Sequence, residues 1–139
     1  MLLAVPEYAD LEPQMYWRRD FPGTADQARA VRVFAATLFA ACPVLDDVLL
    51  VLDELVVNAL RHTRSGLEGG RFTVEVRQDA DGIAVSVADE GGARVPRVPD
   101  DLFELAESGR GLLTVAALAT RWSWHGDVRG RTVRASFVV

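Results

Sequence analysis

Phe72, Val74 and Val76 alternate with Thr73, Glu75 and Arg77, and after the turn DADG the same alternation resumes at Ile83, Val85 and Val87. Side chains two apart share one face of a strand, so this pattern specifies a β-hairpin with one apolar and one polar face. A lone hairpin is marginal in water, and its apolar face needs a cover. Two stretches upstream can provide it. Val31, Phe34, Leu38 and Ala41 recur at helical spacing after TADQ, where Thr24 and Gln27 are expected to form a capping box, and Pro43 stops that helix. A second helix is expected over residues 46–62, with Asp46 and Asp47 suited to its positive end.

The remaining segments extend the same plan. Residues 15–21 read as a short edge strand, 102–106 as a short helical turn, and 112–120 as a helix opened by SGRG. Residues 122–125 and 132–138 read as a final hairpin around GDVRG. This order favours an α+β two-layer sandwich, with helices on one face of a mixed or antiparallel sheet. No repeat or linker suggests a second domain, so residues 15–139 are expected to form a single unit and residues 1–14 a loose arm. The Gly-, Pro- and Arg-containing segment between Asp89 and Gly109 is long for such a domain, which makes it a candidate lid.

Composition narrows the function classes. The formal net charge of −5 argues against a nucleic-acid partner, since neutralising phosphates needs a basic face. One cysteine, Cys42, excludes an internal disulfide framework and a cysteine-rich zinc site, and its thiol reads as core. All fifteen basic residues are arginine, which removes lysine-dependent phosphate loops and Schiff-base chemistry. MLLAVP is too short for a signal peptide, and the apolar run from Val48 to Val57 is broken by Asp53 and Glu54, so a cytoplasmic protein without a membrane partner is expected.

Asn58 is the only asparagine in the chain, and mid-helix it costs roughly 0.5 kcal/mol relative to alanine. On a helical wheel Glu54, Asn58, Arg61 and His62 fall on one stripe, with Asp47 also there. Such a stripe can simply face water. It can also present a carboxylate and a neutral amide oxygen to one small volume, as a magnesium ion and a proton transfer would require. Asp89 ends an apolar strand and is followed by Gly91 and Gly92, which reads either as a strand-ending turn or as a carboxylate that accepts from an exocyclic amine. SGRGLL places two glycines at a helix start, where N–H groups and the helix dipole can hold phosphates.

Taken in this order, ELVVNALRH, DEGG and SGRGLL, closed by GRTV, resemble the GHKL ATP-binding superfamily. Within it the likeness is to the small bacterial anti-sigma-factor serine/threonine kinases, including the entry W-R-R…F-P-G and the end R-W-x-W. The resemblance implies ATP and Mg2+ as cofactors, Glu54 as general base and Asn58 as magnesium ligand. It also implies Asp89 as acceptor of the adenine amine, helped by Gly91, with Thr132 sharing that contact. Gly109, Arg110 and Gly111 would form the phosphate loop. His62 stands where the nearest relatives often carry histidine, and reads as a packed or capping residue. Ala93 departs from the pattern, standing where the broad superfamily has a second glycine.

The partners so implied are a sigma factor and an anti-anti-sigma-type protein, with a homodimer expected when such kinases hold a sigma factor. The alternative is a non-catalytic, nucleotide-gated interaction module of the same fold. The catalytic half of a histidine kinase is disfavoured, because no phosphoacceptor helix is read ahead of the domain.

Overall fold

The alternating segments form the centre of the sheet. The structure, a computed structural model, describes residues 15–93, 95–98 and 110–139. Strands β1 (Met15–Pro22), β2 (Arg71–Gln78), β3 (Gly82–Asp89), β4 (Arg121–Asp127) and β5 (Gly130–Val138) lie in the order β1-β2-β3-β5-β4. All four pairings are antiparallel, so of the two sheet types compatible with the sequence the antiparallel one forms. Between β2 and β3, the Asp79 carboxylate accepts from the N–H groups of Asp81 and Gly82 at 2.8 and 3.1 Å, which closes the tight turn.

Helices α1 (Gln27–Leu38), α2 (Leu45–His62) and α3 (Arg110–Leu118) cover one face, with α2 packed between the other two and over β3. Val48, Val51, Leu52, Leu55, Val56 and Ala59 of α2 are buried against Val74, Val76, Val85, Val87, Val133 and Ala135 of the sheet. Burying each larger aliphatic side chain of this kind contributes about 1.5–3 kcal/mol. At the β1 edge Phe21 stacks on Phe72 with ring centroids 5.4 Å apart, while Trp17 meets Phe34 edge-on. Among the described residues, no helix is long and apolar enough to cross a membrane.

The start of α1 differs from the expected capping box. Thr24 donates its hydroxyl to the Asp26 carboxylate, Gln27 donates its side-chain amide to the same group at 3.2 Å, and no side chain caps the helix. Asp26 intercepts both partners because a carboxylate is a stronger acceptor than a hydroxyl or amide oxygen. The helix also ends at Leu38, leaving Phe39 buried as its cap residue and Ala41 beyond its end. The helical turn expected over residues 102–106, most of the candidate lid and the arm over residues 1–14 lie outside the described residues.

Candidate functional site

The site takes shape where the C-terminal half of α2, the end of β3 and the start of α3 converge. Glu54 and Asn58 stand one turn apart on α2, both half-buried, flanking its fully buried stripe. The carboxyl of Glu54 is raised above the usual carboxylate range by burial first and by Asp53 second, with Arg61 pulling it partly back. Opposite it lies Gly111, in the first turn of α3, where a Cβ would come within 2.6 Å of Glu54 Oε2. A side chain at Gly111 would have to displace the Glu54 carboxylate from this position, so the glycine leaves the carboxylate free to lie against the start of α3.

Asp89 ends β3 on the helix-covered face and is 8 % exposed. Its Oδ1 accepts from the N–H of Gly91 at 2.7 Å, which folds the chain back directly after the strand. Gly91 holds φ +79°, a conformation open to glycine at little cost. Burial raises the Asp89 carboxyl; the backbone N–H groups of Gly91 and Arg131 and the Arg131 guanidinium lower it, without fully offsetting the burial.

The folded chain thus binds a proton at Asp89 more readily than the unfolded chain does. This group's contribution to stability is present in full below the ordinary aspartate value of 3.8 and is lost as pH rises through the raised folded value. Asp89→Asn keeps an oxygen for the Gly91 N–H and removes the buried charge. Its melting temperature should therefore exceed that of the unmodified protein by a few degrees at about pH 7, with the gap closing by about pH 4. Thermal melts at the two pH values check this; a gap independent of pH would mean that the charge is not held against burial.

The other expected site residues distribute unevenly. Thr132 pairs with Ala88 and His125, so its side chain lies on the face opposite Asp89. The structure does not bring the two side chains together. The residue directly across from Asp89 is Arg131, 4 % exposed, which donates a guanidinium N–H to the Gly92 carbonyl at 2.7 Å and lies over the Trp124 ring at 5.8 Å. Gly109 lies outside the described residues, and Arg110 opens α3. His62 is half-buried in the last turn of α2.

Two residues that the sequence reading passed over complete the frame. Ser65 is fully buried in the 3-10 turn Arg64–Gly66, and its hydroxyl accepts from the N–H of Glu90 at 2.9 Å. Arg131 had one available signal: a charged residue at the buried parity of an otherwise apolar strand.

A profile of the histidine kinase-like ATPase domain matches residues 21–137. The chain belongs to this family. Its fold is that of the GHKL ATPases, a domain type that binds nucleotide. Among solved structures it resembles that of the RsbU and RsbW domains of Rv1364c from Mycobacterium tuberculosis, with TM-score 0.66 and 18% identity. That match covers 90% of this chain and 32% of the longer one, so this chain spans about a third of it. No curated protein matches the chain.

For Mg2+ and ATP the residues present fit. Among the described residues no cluster of three His, Cys, Asp or Glu side chains could hold a metal alone. Mg2+ characteristically takes one or two protein ligands and completes its shell with phosphate and water. The neutral amide of Asn58, half-buried one turn from Glu54 on α2, suits that division.

Proposed function

We propose that this chain is an ATP-binding regulatory kinase that phosphorylates a serine or threonine of an anti-anti-sigma-type protein and holds a sigma factor as its second partner. The observation that carries the reading is the approach of Glu54 to Gly111, with Asn58 one turn along the same helix. It sets a basic carboxylate beside a helix start suited to phosphates. The likeness to a structure containing an RsbW domain supports the regulatory part of the reading.

In this mechanism Asp89 accepts from the base's exocyclic amine, and the first turn of α3, with Arg110 and Gly111, faces the phosphates. Asn58 offers its amide oxygen to magnesium, which when bound neutralises charge on the phosphate oxygens. Glu54 accepts the proton of the partner's hydroxyl as that oxygen bonds to phosphorus and the bond to the departing ADP oxygen breaks. A carboxyl with a raised proton affinity suits this task better than an ordinary one. The reading includes a cytoplasmic location and a homodimer in the sigma-bound state.

Asn58→Ala tests the nucleotide half. It should weaken ATP binding about tenfold or more with magnesium present and leave binding without magnesium nearly unchanged, since the ligand is felt only when the metal is there. Calorimetric titration with and without magnesium measures both, beside a melting curve. Replacing an interior asparagine by a better helix former should leave the nucleotide-free melting temperature unchanged or slightly higher. A drop of many degrees would instead make Asn58 a structural polar residue. The competing module reading shares the binding site but lacks the transfer, and the Ala93 departure is the feature that favours it.

A further inference from the structure

We infer that Arg64 is a positioning residue for nucleotide binding, acting through the loop that directly follows Asp89; the inference rests on the nucleotide-binding reading above. Arg64 follows the C-cap of α2, where Thr63 donates its hydroxyl to the Ala59 carbonyl at 2.7 Å and accepts the Ser65 N–H at 3.1 Å. From this turn Arg64 reaches two segments remote in sequence. Its backbone N–H donates to the Gly91 carbonyl at 2.8 Å. Its guanidinium Nη1 donates to the Val128 carbonyl at 2.9 Å and the Glu90 carbonyl at 3.4 Å.

Three pieces of chain are thereby tied: the end of α2 that bears Asn58 and Glu54, the loop after Asp89, and the turn between β4 and β5. The fit is tight on the far side as well. A Cβ on Gly91 would lie 2.3 Å from the Val128 carbonyl oxygen, so loop and turn are in direct backbone contact. Arg131 holds the next carbonyl, that of Gly92. The carbonyls of Glu90, Gly91 and Gly92 are therefore all engaged by the two arginines, and the Gly91 N–H is left to orient the Asp89 carboxylate.

An arginine suits this post because the two N–H groups of its Nη1, fixed in the guanidinium plane, can be aimed at two carbonyls at once, whereas lysine offers a point charge. Arg64 is itself exposed, so its side chain contributes orientation and little buried apolar area. Its removal should disturb the site more than the fold. This separates it from Ser65, which is fully buried and structural in the ordinary sense.

The test compares ATP affinity of the unmodified protein, Arg64→Met, Arg64→Lys, Asp89→Asn and the double variant Arg64→Met/Asp89→Asn by calorimetry, with melting curves for each. Arg64→Met should weaken ATP binding about tenfold, the range for a lost charged hydrogen bond, and reduce the preference for ATP over GTP, while shifting the melting temperature by only a few degrees. Arg64→Lys should recover part of the loss. Because Arg64 acts through Asp89, the double variant should bind ATP no more weakly than Asp89→Asn alone. Additive losses in the double variant, or an unchanged ATP-to-GTP ratio in Arg64→Met, would overturn the inference and leave the nucleotide site standing. Failure of the folded, unmodified protein to bind ATP would overturn the nucleotide reading and the Arg64 role with it.

Discussion

Glu54→Gln is expected to lower phosphoryl transfer about 10²- to 10⁴-fold, the usual worth of a general base, while ATP affinity and fold stay in place. Glutamine keeps the shape that fits beside Gly111 and loses only the ability to take a proton. Neutralising a half-buried carboxyl whose charge is disfavoured should not cost stability. The pH dependence carries the same signature. Since burial raises the Glu54 carboxyl, transfer by the unmodified protein should fall as pH drops through that raised value, earlier than for an ordinary glutamate, and the variant should lack this limb. A radiolabelled transfer assay to an anti-anti-sigma-type protein, run beside a binding control, measures both. Equal transfer by the two proteins would remove Glu54 from the chemistry, and binding without transfer by either would establish the module reading.

Gly91→Ala should be severely damaging, because backbone conformation and backbone contact both oppose the added methyl. At φ +79° an L-residue pays about 1–2 kcal/mol, and the added methyl would meet the Val128 carbonyl oxygen at 2.3 Å and the Arg129 carbonyl carbon at 2.8 Å. These are backbone atoms held in a β-turn, so they cannot swing aside as a side chain would. Together the two effects should destabilise the fold by roughly 3 kcal/mol and lower the melting temperature by roughly 10 °C. Gly92→Ala is the internal control. Its methyl would lie 3.3 Å from the His62 carbonyl at a backbone conformation any residue adopts, and its cost should stay below about 1 kcal/mol. Comparable losses from the two alanines, in thermal or urea melts, would contradict the account of this loop.

How much of this was legible in the sequence depended on the range of the forces involved. The central hairpin and the span of α2 follow from side-chain periodicity alone, and both appear within a residue or so of expectation, α2 as Leu45–His62. The nearness of Glu54 and Asn58 is equally local, being one helical turn. Thr24 and Gln27 illustrate the first kind of failure: the pattern was present, but Asp26 lay between and took both hydrogen bonds. Thr132 illustrates the second. Register decides which of two neighbouring residues faces the helices, and a shift of one exchanges Thr132 for Arg131. Arg64 could not have been read at all, because its guanidinium partners are 26 and 64 residues away and make no pattern in the chain.

The placement of Asp89 at the end of β3 has a consequence for how the molecule breathes. β3 is the middle strand of five, paired on both sides from Ile83 to Ala88, with Asp89 at its end paired to β5, and it is covered by α2, whereas α3 is a nine-residue helix. Amide hydrogens on a doubly paired central strand exchange with solvent chiefly through global unfolding, while a short peripheral helix opens at far smaller free energy. The carboxylate proposed to face the base therefore stands at the end of the strand that opens last, and the turn proposed to face the phosphates on a part that opens sooner. A nucleotide bridging them would join two cooperative units into one.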